Sequence, residues 1–151
     1  MVPGIVPDLL LGLLLLAAFD AVALSPVLFS AAVRRLVRLW PTGSLGLNYL
    51  AGTAAYAASH LLAIVAAVAL HGGSLSRDVL QWLAGTTLLN ALLWWLALAV
   101  LLPTGGYWQP KTEGEYDGRI ALTVGLVGYV VATGVALLVV LVVAIALYFP
   151  G

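Results

Sequence analysis

The sequence predicts an all-α membrane protein, a single domain over residues 1–151 folded as an antiparallel four-helix transmembrane bundle. Two observations lead to this prediction. Hydrophobic residues make up 64% of the chain and charged residues 8%, whereas soluble domains are about a quarter charged. Most charges also lie in short joints that separate four long apolar runs, and a spanning helix needs about 20 such residues.

The four predicted spans are about 6–30, 45–70, 79–102 and 120–149. Leucine and alanine favour helix, and the runs are too long and too little alternating for barrel strands. Pro26 lies late in the first span, where a proline either kinks the helix or ends it before a separate interfacial segment. No basic residue precedes the first apolar run, as it would in a signal peptide, so we expect this span to be retained.

The basic residues set the predicted direction of the chain. Arg34, Arg35 and Arg38 lie in the first joint, and Lys111 and Arg119 lie in the third, so five of the six basic residues share one side. The positive-inside rule makes that side cytoplasmic and places both termini outside the cell membrane. We therefore expect the three arginines of the first joint to set the orientation of the chain in the membrane. The alternative is that they bind anionic lipid headgroups.

One polar residue lies near the middle of each predicted span. A helical rise of about 1.5 Å per residue places these residues about 18–21 Å from the joints of the basic side. They are Asp20, His60, Asn90 and Thr133, with Tyr56 one turn from His60. Because unpaired polar groups are costly in hydrocarbon, we expect all five to face inward. We expect Asp20 to accept a hydrogen bond from His60, directly or through one water.

Composition and the absence of known motifs exclude several classes of function. The chain has no cysteine and zero formal net charge, which removes thiol chemistry and gives no basic patch for nucleic acid. It has no GxSxG, HExxH, Walker or GxGxxG motif, so we predict no catalytic residue, metal or cofactor. We expect a non-enzymatic accessory, assembly or structural subunit whose partners are the lipid bilayer and either a second copy or a larger membrane complex.

Two alternatives follow from the polar residues within the spans. The first is a small proton- or ion-coupled transporter that uses Asp20 and His60, because ionisable residues inside a membrane commonly mark functional sites. The second is a membrane anchor of a redox complex that holds haem or quinone near His60. A single chain does not supply both axial ligands of a haem, because His60 and His71 lie on one predicted helix about 16 Å apart.

Overall fold

The computed structural model describes residues 5–39, 41–70 and 77–148, and all regular structure in these ranges is helical. The elements in chain order are α1 (Ile5–Ala23), a 3₁₀ turn (Ser25–Phe29), α2 (Ala31–Arg38), α3 (Leu45–Leu70), α4 (Arg77–Leu96), a π-helical turn (Ala97–Leu101), α5 (Leu102–Thr104) and α6 (Gly118–Tyr148). Residues 71–76 of the predicted second joint, which include His71, lie outside the described residues, and α4 begins at Arg77 within that joint.

Three helical segments of the described chain are long and apolar enough to cross a membrane. They are Leu45–Leu70, Gln81–Thr104 and Gly118–Val139. Large apolar side chains cover their outer faces, as shown by Leu62 at 70% and Leu137 at 62% exposed. Apolar surface is unfavourable in water and compatible with lipid. The helices are therefore consistent with the predicted multi-pass membrane protein.

The predicted first span, 6–30, is not one continuous helix. α1 ends at Ala23, and the chain continues through a 3₁₀ turn that contains Pro26. A proline removes a backbone donor and its ring clashes with the preceding helical turn. Ser30 then has extended backbone and caps α2 by accepting a hydrogen bond from the Val33 amide. Of the two alternatives for Pro26, a kink or an end of the helix, the described residues show the end: α1 stops at Ala23 and a separate helix, α2, follows the 3₁₀ turn.

The short helix α2 packs against the end of the bundle through one face. Ala32 and Val33 are 1% and 2% exposed, and they pack in one cluster with Ala99, Trp108 and Leu122. The other face of α2 carries its basic residues. α2 is thus an amphipathic helix that contacts α3 and α6.

The π-helical turn is explained by Pro103. Because Pro103 has no amide proton, the carbonyl four residues earlier, that of Ala99, cannot accept the usual helical hydrogen bond from it. A local π turn accommodates such a change without ending the helix. The Trp108 indole donates a hydrogen bond of 2.9 Å to the Leu98 carbonyl within this turn, which holds the following loop against the helix.

The four long helices contact one another in a ring. α1 packs on α3, α3 on α4, α4 on α6 and α6 on α1. Across the ring, the described parts of α3 and α6 make no close backbone contact, and neither do those of α1 and α4. At one end of the ring, Arg35 of α2 forms a 2.6 Å ion pair with Glu115 of the α5–α6 loop. This end, where the first and third predicted joints meet, is called the loop side below.

Candidate functional site

A chain of side-chain hydrogen bonds crosses the centre of the bundle. The Tyr129 hydroxyl of α6 donates to Asp20 Oδ1 of α1 at 2.9 Å, and the same hydroxyl lies 3.3 Å from His60 Nδ1 of α3. His60 Nε2 in turn lies 2.8 Å from Thr87 Oγ1 of α4. These four side chains, one from each long helix, are called the central network.

The protonation state of Asp20 sets the direction of these hydrogen bonds. A carboxylate only accepts, and a tyrosine hydroxyl has one proton to donate. When Asp20 is ionised, Tyr129 donates to it and accepts from His60 Nδ1–H, which leaves His60 Nε2 to accept from Thr87. When Asp20 is protonated and donates to Tyr129, the same hydrogen bonds run in the opposite direction. The network can therefore exist in two proton arrangements with one set of atomic positions.

Protein encloses the central network. Asp20 is 0%, Tyr129 1% and His60 4% exposed. Four buried polar atoms in this region have no hydrogen-bond partner among the described residues: Asp20 Oδ2, Tyr56 Oη, Asn90 Nδ2 and Thr133 Oγ1. Leaving a buried polar group unsatisfied costs about 1–3 kcal/mol. The centre of the bundle therefore has hydrogen-bonding capacity beyond that used by the network.

Aromatic rings hold the Tyr129 side chain in place. The Tyr56 ring packs edge-on against Tyr129 at 5.3 Å and against Trp94 at 5.9 Å between ring centroids. Phe19 packs against the Tyr129 ring at 6.2 Å, and the Trp94 indole donates to the Ser59 hydroxyl at 3.0 Å. Such tilted pairs add about 0.5–1.5 kcal/mol beyond the burial of area. They restrict the position of the hydroxyl that lies between Asp20 and His60.

The expected direct hydrogen bond between Asp20 and His60 is not formed. Both side chains are buried at the centre, but the Tyr129 hydroxyl stands between them and contacts both. The reason is geometric, since a phenol from α6 reaches the space between α1 and α3. The sequence offered one signal for Tyr129, which lies four residues before Thr133 and so shares its helix face.

The other predicted residues lie around the network. Tyr56 packs its ring against Tyr129, whereas Asn90 and Thr133 place buried polar atoms outside the chain of hydrogen bonds. Thr87 takes the position on α4 that Asn90 was expected to take. Residues three apart on a helix share a face, so the sequence pattern alone did not distinguish Thr87 from Asn90.

The three arginines of α2 have different surroundings. Arg34 Nη1 donates to the Leu28 carbonyl at 2.8 Å, near the end of the 3₁₀ turn, which satisfies a carbonyl that lacks a helical partner. Arg35 pairs with Glu115 across the loop side. Arg38 is exposed at the end of α2. Only Arg38 therefore keeps the outward position that headgroup binding requires without also holding a described hydrogen bond.

Two donors hold the Glu115 carboxylate. The Thr112 hydroxyl donates to Oε2 at 2.6 Å, and Arg35 Nη1 donates to Oε1 at 2.8 Å. These hydrogen bonds, that of Thr112 first and that of Arg35 second, lower the pKa of Glu115 because they favour its charged form. The Glu115 side chain is partly exposed, so salt and water screen the interaction.

A cavity of about 690 Å³ lies between the central network and the loop side. Tyr56 and Tyr129 line it next to the network, and Leu39 and Tyr107 line it where α2 and α5 end. Most of its remaining wall is leucine and valine. Pockets of this size ordinarily hold small molecules.

No match was found when the chain was compared with protein-family models, with curated proteins and with solved structures. Its function is therefore inferred from its own residues. Within residues 5–39, 41–70 and 77–148, no three histidine, aspartate or glutamate side chains come together as a metal site would require.

Proposed function

We propose that this chain is a non-enzymatic integral membrane protein of the accessory or structural type, whose helices α1, α3, α4 and α6 cross the bilayer antiparallel with both termini outside. The central network carries the proposal, because it takes one side chain from each of these helices. The Arg35–Glu115 ion pair supports the antiparallel arrangement, because it joins the first and third joints at one end.

The properties of α1 support a fourth span. It has 19 residues, and a rise of about 1.5 Å per residue gives it a length close to the roughly 30 Å hydrocarbon core. Leu10 and Leu14 are 56% and 67% exposed on its outer face, while Asp20 is fully buried on its inner face. An apolar outer face and a buried carboxylate suit a helix that is packed inside a membrane.

The free energy that is lost when the central network is broken supports a structural role. Lipid offers no hydrogen-bond partner to Asp20 or His60, so helices that separate or slide leave these groups unsatisfied. A hydrogen bond between helices in a membrane contributes about 0.6 kcal/mol on average, whereas a stranded buried group costs about 1–3 kcal/mol. The network therefore disfavours wrong arrangements more strongly than it stabilises the right one, and so specifies how the four helices fit together.

Cysteine labelling tests this topology, and the absence of natural cysteine removes the background. Three single variants are needed: Val2→Cys before α1, Ser44→Cys on the loop side, and Ser76→Cys in the second joint. A membrane-impermeant thiol reagent added outside should label Val2→Cys and Ser76→Cys and spare Ser44→Cys. Protection of Val2→Cys would show that α1 does not cross, and labelling of Ser44→Cys from outside would contradict the orientation.

A second function, proton-coupled transport, is favoured by the two proton arrangements of the network. A relay moves protons through hydrogen bonds that can reverse their direction, and Thr87, His60, Tyr129 and Asp20 form such a series. The test is proton flux into liposomes that carry a pH-sensitive dye and a potassium diffusion potential. Flux in the natural protein that disappears in Tyr129→Phe would favour transport. Flux equal to that of empty liposomes would favour the structural role.

The hydrogen bonds of His60 disfavour the haem-anchor alternative. Both ring nitrogens of His60 lie within hydrogen-bond distance of side chains, namely Tyr129 at 3.3 Å and Thr87 at 2.8 Å. An axial haem ligand needs one nitrogen free to bind iron. We therefore expect the purified protein to show no Soret absorbance band, and a Soret band in proportion to the protein would contradict this expectation.

A further inference from the structure

The 690 Å³ cavity, called the chamber below, is open space at the point where α3 and α6 stay apart. Gly52 of α3 lines it, and no atom of the described residues lies within 4 Å of the position that a Cβ would take there. Leu36 and Leu126 line it from α2 and α6, and Trp94 lines it from α4. Four helices of the chain thus surround one apolar space.

The polarity of the chamber changes along its length. Next to the central network it is lined by Tyr56 and Tyr129, which are 5% and 1% exposed. At the loop side it is lined by Leu39 and Tyr107, which are 59% and 73% exposed and so mark its mouth. Arg38, beside Leu39 in the chain, is exposed at this level. The chamber therefore has an apolar interior and a basic residue near its mouth.

These features are unsuited to water and suited to a lipid chain. A buried water needs two to four polar partners, and the walls of the chamber are mainly aliphatic and aromatic. An unfilled apolar void loses the dispersion contacts of every atom that lines it. Hydrocarbon chains surround any helix in a bilayer, and basic residues at the interface attract anionic headgroups.

We infer that the chamber binds one hydrocarbon chain of an anionic bilayer lipid. The chain lies between α3 and α6 with its end near Tyr56 and Tyr129, and the headgroup lies outside the mouth near Arg38. The inference rests on the proposed membrane topology, which cysteine labelling tests separately. Lipid binding and topology can therefore fail independently of each other.

The first experiment fills the chamber from its wall. Gly52→Leu places a side chain in the chamber, and Gly85→Leu is the matched control, because Gly85 is also within a spanning helix, also has no atom within 4 Å of a Cβ, and does not line the chamber. The proteins are purified in mild detergent, given phosphatidylglycerol and examined by native mass spectrometry.

We expect the natural protein and Gly85→Leu to retain one tightly bound phosphatidylglycerol, and Gly52→Leu to bind it at least tenfold more weakly. Equal retention by the two leucine variants would overturn the inference. A chamber that instead retains a free fatty acid or a quinone, or that closes around a second copy of the chain, would overturn the assignment to a bilayer lipid.

The second experiment tests the headgroup. Arg38→Gln should weaken binding of phosphatidylglycerol several-fold and leave binding of zwitterionic phosphatidylcholine unchanged, because only the anionic headgroup gains from the charge of Arg38. Equal weakening of both lipids, or of neither, would overturn the placement of the headgroup.

The third experiment locates the chain and needs no variant that fills the chamber. Phosphatidylglycerol with a nitroxide near the end of one chain should quench tryptophan fluorescence saturably, because Trp94 lines the chamber. Trp95 also lines the chamber, so the double variant Trp94→Phe with Trp95→Phe should remove the saturable part. Trp82→Phe should keep it, since Trp82 lies on α4 outside the chamber lining. If Gly52→Leu does not fold, the quenching experiment still tests the inference, and saturable quenching that survives the double variant would overturn it.

Discussion

The central network and the loop-side contact of Arg35 with Glu115 both join distant parts of the chain, but they differ in their exposure to solvent. Each links parts of the chain that are distant in sequence through a short series of polar side chains. In the centre, Asp20 and His60 are 0% and 4% exposed. On the loop side, the side chains of Arg35 and Glu115 are 43% and 32% exposed. The comparison thus isolates the effect of surroundings on contacts of similar geometry.

The difference shows which contacts specify the fold. Water replaces a broken partner on the loop side, so the loss there is small and salt reduces it further. In the centre, neither water nor lipid replaces a lost partner at low cost, so a broken hydrogen bond leaves a buried group unsatisfied. We therefore expect the central network to determine helix arrangement and the loop-side contacts to adjust it only slightly.

The largest expected effect is that of Tyr129→Phe. This change keeps the ring and its packing on Tyr56 but removes the hydroxyl shared by Asp20 and His60. Each stranded group should lower the free energy of unfolding by about 1–3 kcal/mol, measured by denaturant titration in detergent micelles. Tyr116→Phe is the control, because Tyr116 is 91% exposed in the α5–α6 loop. Similar losses in both variants would show that the Tyr129 hydroxyl contributes no more to stability than the hydroxyl of an exposed tyrosine.

The next effect is steric and concerns the contact of the 3₁₀ turn with α6. A Cβ at Gly125 would overlap the Val27 side chain, whereas a Cβ at Gly128 would meet no atom of the described chain within 4 Å. Gly125→Ala should therefore destabilise the protein by about 1–3 kcal/mol, as overpacking typically does. Gly128→Ala should be neutral or slightly stabilising, because alanine favours helix. Equal melting temperatures of the two variants would contradict the close packing of the 3₁₀ turn on α6.

A smaller effect is expected at the end of the central network. Thr87→Val keeps the shape of the side chain but removes the partner of His60 Nε2, at a cost of about 1 kcal/mol. Thr86→Val is the matched control, because among the described residues the Thr86 hydroxyl donates only to the Leu83 carbonyl of its own helix. If Thr86→Val lowers the unfolding free energy as much as Thr87→Val, the contact of Thr87 with His60 contributes nothing.

Sequence patterns predicted the helical class, and they predicted the spans where charge-free runs had clear ends. The end of α1 could not be decided between a kink and a break, because Pro26 permits either and the packing of α2 on α3 and α6 is not visible in the sequence. Buried Asp20 and His60 were expected from the cost of polar groups in lipid. Tyr129 shares a helix face with Thr133, but spacing within one helix does not show that its hydroxyl reaches between Asp20 and His60, because that depends on how the helices pack.

The smallest effect is expected on the loop side, from Glu115→Gln. Hydrogen bonds lower the pKa of Glu115 below its ordinary value of 4.5, so its contribution to stability is present above that value and is lost as the pH falls through the lowered pKa. The natural protein should therefore exceed Glu115→Gln slightly in stability at pH 7 and low salt. This margin should vanish in strong acid and shrink in high salt, and a margin unaffected by either would contradict an exposed, screened contact.

The central claim is that Asp20 and His60, which do not touch, are coupled through the Tyr129 hydroxyl. The most direct test is a double-mutant cycle of unfolding free energies with Asp20→Leu and His60→Leu, measured once in the natural protein and once in Tyr129→Phe. The account predicts a coupling of about 0.5–3 kcal/mol in the natural protein and none in Tyr129→Phe. Additive effects in the natural protein, or a coupling that persists undiminished in Tyr129→Phe, would contradict it.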